Sequence, residues 1–247
     1  MTCEHLPPRA AGNSSPGTLY NEQEGALVVI RSYRDGHTIP SLCKSCNTGA
    51  SNRGLPQAYQ AWRDDVVSNL ELAAATYEYK TGGALVVPIE HGRDTFTKQM
   101  TNLHPGRIAR QVLGMTLAVQ ATRSLIDNNP QLKAAYFSDE TASMEPFSLH
   151  VALANAGINY FRDLVVSLRI EVETGRSTGI DFWMISFPPF LMCLVDGPVA
   201  PIEATPIHQW LGHPVNAFFG KQERNVTYLI ANQAHPLVAK MYADGGQ

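Results

Sequence analysis

Cys43-Lys44-Ser45-Cys46 restricts the fold of this chain more than any other segment. Two thiolates two residues apart can reach one tetrahedral ion, and this requires a tight backbone knuckle. A redox dithiol uses the same spacing, and a pair of ordinary buried thiols is the third reading. The residues that follow, Asn47-Thr48-Gly49, are turn formers and favour the knuckle. The chain has 247 residues and 4 cysteines, the others being Cys3 and Cys193, too few for a disulfide framework.

The length allows one large domain or two smaller ones. With 44% hydrophobic and 17% charged residues, most of the chain can bury a core, and extensive disorder is excluded. A formal net charge of -3 argues against a protein that coats nucleic acid or anionic membrane by bulk charge. Locally the balance differs: residues 1 to 63 hold six Lys/Arg against four Asp/Glu, so a modest basic groove is compatible with this part. The longest apolar run, Phe182 to Val195, contains Pro188 and Pro189 and is too short to cross a bilayer. The first residues, Met1-Thr2-Cys3-Glu4-His5, contain no apolar signal core. The expectation is a soluble, cytoplasmic protein.

Turn formers dominate residues 1 to 25, which read as an extended loop. Ala26 to Tyr33 reads as a strand, Ser41 to Asn47 as the knuckle, and about Leu55 to Lys80 as a helix with Tyr59, Trp62, Val66 and Leu70 on one face. After Gly82-Gly83, Ala84 to Ile89 is a short strand-like run. Pro105 signals the start of a long helix that should end at Asn128-Asn129-Pro130, and Gln131 to Phe137 suits a shorter one. From Phe147 onwards strands are expected at Ser148 to Leu153, Leu164 to Glu173, Phe182 to Phe187, Phe190 to Val195 and Val226 to Ala231, with a helical turn near Pro206 to Leu211. The class is α+β, with a mainly antiparallel sheet in the second part.

Two segments carry chemistry: Cys3-Glu4-His5-Leu6-Pro7-Pro8-Arg9 and Leu42-Cys43-Lys44-Ser45-Cys46-Asn47. Together they resemble the HNH endonuclease family, whose ββα-metal fold is built on a zinc knuckle. In that family an acidic residue, His, an apolar residue and Pro form one wall of the site. A Cys-x-x-Cys followed by His or Asn starts the helix that forms the other. The resemblance implies His5 as general base, Glu4 and Asn47 as holders of a catalytic Mg or Mn ion, and Cys43 and Cys46 as holders of a structural zinc. Phosphodiester hydrolysis suits these types: a histidine near neutral pKa takes a proton from water, and a hard cation stabilises developing charge. It further implies an HNH-like finger over residues 1–69, followed by an α+β domain of undefined role over 70–247. The partner would be nucleic acid, most simply DNA. The alternative is a catalytically degenerate knuckle that binds nucleic acid or a protein.

A narrower group within that family carries a stretch like Glu-His-x-Pro-Pro-Arg-Ala-Ala-Gly-Asn, then Leu-Cys-x-x-Cys-Asn, a segment like His104-Pro105-Gly106-Arg107-Ile108-Ala109-Arg110-Gln111-Val112, and a Pro-Pro-Phe strand like Pro188-Pro189-Phe190. This chain has all four. Three departures stand out. A further Cys-x-x-Cys that usually precedes the Glu-His pair is not in the sequence, and Cys3 and His37 are the nearest substitutes. The middle Asn of the motif falls near Thr38, with Asn13 as another source of its contact. Glu4 replaces the commoner Asp.

Each candidate has a plainer reading. His5 is equally a surface histidine on a frayed terminus. Arg107 and Arg110, in the first turns of the long helix, are candidates for phosphate contact, or else line a solvated face or pair with carboxylates. The aromatic run from Phe182 to Val195 is a stacking surface for bases or, more simply, a bent core strand in which Cys193 is an ordinary buried thiol. His91, His150, His208, His213 and His235 show no ligand spacing among themselves, and His104 reads as a helix start.

Overall fold

The computed structural model describes residues 2–5, 8–9, 13, 17–23, 26–35, 38–42, 44–76, 95–119, 124–154, 160–170, 177–187, 189–198, 204–221 and 223–231. The chain is α+β. In order the elements are β1 (Thr2–His5), β2 (Gly17–Gln23), β3 (Ala26–Tyr33), β4 (Thr38–Leu42), α1 (Lys44–Asn52), α2 (Leu55–Thr76), β5 (Thr95–Gln99), α3 (Pro105–Ala118), α4 (Ser124–Asn128), α5 (Pro130–Phe137), β6 (Phe147–Ala154), β7 (Tyr160–Ile170), β8 (Ser177–Phe187), β9 (Phe190–Asp196), β10 (Thr205–Pro206), a 3-10 turn (His208–Gly212) and β11 (Asn225–Ala231). No helix among the described residues is long and apolar enough to cross a membrane.

The main sheet runs β5-β11-β6-β9-β8-β7, with β10 paired to β6. Its pairs are antiparallel except β11 with β6, which run parallel. Strand alternation sorts side chains onto two faces. Leu149, Val151 and Leu153 of β6, Phe190, Met192 and Leu194 of β9, and Trp183, Ile185 and Phe187 of β8 join the helices in one large core. The other face buries a smaller cluster of Ala152, Phe182, Met184, Leu191, Cys193 and Val195. A central strand buried on both faces needs a nearly continuous apolar sequence, and Phe190-Leu191-Met192-Cys193-Leu194-Val195 supplies it.

Trp62 anchors α2 to this sheet. Its indole stacks on Phe190 with centroids 3.8 Å apart and planes 11° from parallel. Its Nε1–H donates to the Tyr228 hydroxyl at 2.8 Å. Tyr59 and Trp210 meet the same indole edge-on. Buried aromatic pairs with the indole N–H satisfied contribute packing beyond area burial alone. A division after residue 69 therefore falls inside α2, a helix whose Tyr59, Trp62 and Val66 belong to the core of the main sheet.

Other sequence expectations are amended. The stretch read as an extended loop over 1 to 25 contains β1 and β2. The long helix closes at Ala118, and α4 is a separate element. β5, unforeseen, pairs with β11 through the Thr97–Thr227 register. The expected strand at Ala84 to Ile89 lies outside the described residues.

Candidate functional site

The knuckle region assembles as strand, strand, helix. β1 and β4 pair antiparallel, with Glu4 opposite Ile39 and His5 opposite Thr38. β4 ends at Leu42 and α1 begins at Lys44, so Cys46 and Asn47 fall in the first turn of α1. α1 lies against β1. The segment between the two strands contains β2 and β3, which pair antiparallel. In this register Thr2, opposite Leu42, is the β1 residue nearest the β4–α1 join, and Glu4 and His5 lie further along the ladder; Asn47, in the first turn of α1, is half-buried. Thr38, the residue at the place of the motif's middle Asn, is the cross-strand partner of His5. Asn13 is buried. The side chains of Glu4, His5, Cys43 and Cys46 lie outside the described residues. Among the described residues no three of His, Cys, Asp and Glu form a metal-binding group.

Arg107 and Arg110 bind the protein itself. The Arg107 Nε–H donates to the Val215 carbonyl at 2.6 Å, and Nη2 donates to Asn216 Oδ1 at 2.7 Å. Arg110 is wholly buried. Its Nε donates to the Ser138 carbonyl at 2.7 Å, Nη1 to the Gly106 and His213 carbonyls at 2.8 and 3.1 Å, and Nη2 to the Glu140 carbonyl. Burial, and the nearby charge of Arg53, lower its pKa to about 10, so it stays cationic at neutral pH. With no surface to offer a phosphate, Arg110 is a tie between loops, a role that neither a solvated helix face nor a carboxylate pair describes. The whole His104–Arg110 segment acts in this way. The His104 Nδ1–H donates to the Ala217 carbonyl at 3.0 Å, and the Gly106 backbone lies so close to the 213–214 backbone that an added Cβ would sit 2.3 Å from the His213 carbonyl oxygen.

A second polar cluster sits on the smaller-core face of the sheet. Ser148 and His150 are two apart on β6 and are both buried. The Ser148 hydroxyl donates to the Gly197 carbonyl, so its oxygen accepts from His150 Nε2–H at 2.8 Å. The His208 ring lies 5.8 Å from that of His150, centroid to centroid. Burial and the adjacent His208 push the His150 pKa down to about 4, against a smaller opposing effect of the Ala204 backbone. That opposing effect is a hydrogen bond between the His150 ring and the Ala204 backbone, whereas His208 Nδ1 is buried without a hydrogen-bond partner. Cys193 faces His150 across the ladder, and burial pushes its thiol up to about 12. An open groove of about 530 Å³, with the His213 Nε2–Glu223 Oε2 pair at 3.5 Å on its wall, adjoins the 3-10 turn that carries His208. Sequence spacing gave no sign of the histidine pair, because β10 and the ladder register bring the two together.

The aromatic run from Phe182 to Val195 is core: Phe182, Trp183, Phe187, Phe190 and Met192 are all buried. No protein-family model, curated protein or solved structure matches the chain.

Proposed function

We propose that the chain is a metal-dependent phosphodiesterase acting on nucleic acid, of the HNH type, with its centre where β1 meets the start of α1. The reading rests on one observation: β1 pairs with β4 in a register that sets His5 opposite Thr38, β4 runs directly into α1, and α1 lies against β1. A frayed terminus would leave His5 without that pairing.

In this reading His5 takes a proton from water, and the oxygen attacks phosphorus in line with the departing sugar oxygen. Glu4 and Asn47, a carboxylate and an amide oxygen, suit a hard divalent ion of the Mg or Mn kind. When bound, that ion supplies charge stabilisation at the phosphate and the leaving oxygen. Thr38, across the strand pair, is the candidate to orient the His5 ring. Cys43 and Cys46 would fix strand to helix through zinc, with the incomplete thiolate set making that ion weakly held.

The test compares cleavage of plasmid and single-stranded DNA by the parent and by His5→Ala. General-base removal should slow cleavage by roughly 10²–10⁴-fold with nucleic-acid affinity nearly unchanged. Equal rates in both proteins would sink His5 as the base. No cleavage by the parent with Mg, Mn, Ni or Zn would favour the alternative, a degenerate knuckle that only binds.

A further inference from the structure

We propose that the open groove beside the 3-10 turn is a binding site for an uncharged sugar unit, held through a pair of adjacent hydroxyls. The site is built on β10, the 3-10 turn and the start of β11, apart from β1 and α1, and does not depend on the nuclease reading.

The groove holds about 530 Å³, within the roughly 300–1,000 Å³ of small-molecule sites. Trp210 and Val226, 4% and 6% exposed, supply apolar lining. His213, Glu223, Gln209 and Asn225 supply polar groups around the same cavity. Apolar lining with a few convergent polar side chains is the composition of a ligand site. The carriers are anchored. The His213 N–H donates to the Trp210 carbonyl at 3.1 Å, and the His213 carbonyl accepts from Arg110. Asn225 and Val226 stand opposite Gln99 and Lys98 in the β11–β5 ladder. Glu223 Oε2 accepts from the Gly220 N–H at 3.3 Å and lies 3.5 Å from His213 Nε2. Its Oε1 has no partner among the described residues, and neither do the side-chain amides of Gln209 and Asn225.

Charge selects the ligand. No Lys or Arg is among the described residues that line the groove, so a phosphate or carboxylate would meet Glu223 with no guanidinium or ammonium to offset it. A wholly apolar ligand would take water from Glu223, Gln209 and Asn225 and return no hydrogen bond. A sugar unit avoids both costs. It is neutral, its hydroxyls donate and accept, and its C–H face can pack against an aromatic side chain such as Trp210. Adjacent hydroxyls can donate to one carboxylate in charge-assisted bonds, the kind of contact that an acidic side chain makes with ribose in dinucleotide-binding folds. The free amides of Gln209 and Asn225 offer a donor and an acceptor each to further hydroxyls.

Such a diol belongs equally to a glycan residue and to the ribose of a ribonucleoside, and the experiment separates the two. The full chain is titrated with maltose, lactose and cellobiose, with adenosine and 2′-deoxyadenosine, and with adenosine 5′-monophosphate and ethylamine as charged probes. Affinity is read by calorimetry and location by the side-chain amide resonances of Gln209 and Asn225. At least one disaccharide or adenosine should bind and shift both resonances. Binding of a disaccharide without adenosine assigns a glycan; binding of adenosine with 2′-deoxyadenosine weaker assigns ribose. Glu223→Gln, which keeps an acceptor for Gly220 but loses the charge, should weaken binding by at least about tenfold, and Asn225→Ala should weaken it also. Both residues are exposed, so the variants should fold. No shift with any neutral sugar or nucleoside, affinity unchanged in Glu223→Gln, equal affinity for adenosine and its deoxy form without disaccharide binding, or tighter binding of either charged probe would overturn the proposal.

Discussion

Arg110 makes four hydrogen bonds to carbonyls of three separate segments; the Glu140 carbonyl also accepts from the Ser138 hydroxyl. Lysine keeps the charge but lacks the planar fork. Arg110→Lys should therefore lose about 2–4 kcal/mol of stability, from carbonyls left desolvated and unpaired. Urea unfolding followed by circular dichroism measures this; a loss below about 1 kcal/mol would mean that the loops hold without the tie. Gly106→Ala should be at least as harmful, because its new Cβ meets backbone and not a flexible side chain. His150 makes a pH-dependent contribution. Its folded pKa, about 4, lies below the ordinary value of 6.5. Between these values the unfolded chain binds the proton and the folded chain does not, so stability falls as pH drops from about 6.5 to about 4 and levels off below. The full effect is on the order of 3 kcal/mol. His150→Gln should flatten this segment of the stability–pH curve. An unchanged slope would assign the dependence to other groups.

At the scale of elements, Trp62 makes the closest stacked contact between α2 and the sheet. Trp62→Ala removes an indole stacked at 3.8 Å on Phe190 and the N–H that the Tyr228 hydroxyl accepts. A loss of about 3–5 kcal/mol is expected in denaturant unfolding. Sequence pattern made the elements with strong local signals legible. Pro105 marked the start of α3, helical spacing placed Tyr59, Trp62 and Val66 on one face, and the continuous apolar run of β9 could be read as buried strand. β2 and β5 were hidden for a physical reason. Gly17–Gln23 and Thr95–Gln99 have little apolar alternation, and each is a strand because β3 or β11 pairs with it. Pairing of this kind is decided by partners elsewhere in the chain, as strand propensity is in general. The same limit concealed the His150–His208 pair and the duty of Arg107 and Arg110. The types and spacing of those arginines suit a phosphate, but apart from Gly106 their acceptors are distant oxygens that folding brings near.

For the whole molecule, the β1–β4–α1 unit and the main sheet are linked through one helical layer. α1 runs into α2 at Arg53-Gly54, and the Arg53 Nη1 donates to the Tyr136 carbonyl at 2.7 Å at the end of α5. The central claim is that Glu4 on β1 and Asn47 on α1 hold one ion, with His5 beside it as the base. Paramagnetic broadening by Mn²⁺ tests it most directly, with backbone amides of the full chain followed by NMR at sub-stoichiometric metal. The account expects amides on β1 and in the first turn of α1 to broaden together, with the effect lost in Glu4→Ala and reduced in Asn47→Ala. Broadening confined to scattered surface carboxylates, or to β1 without α1, would contradict it.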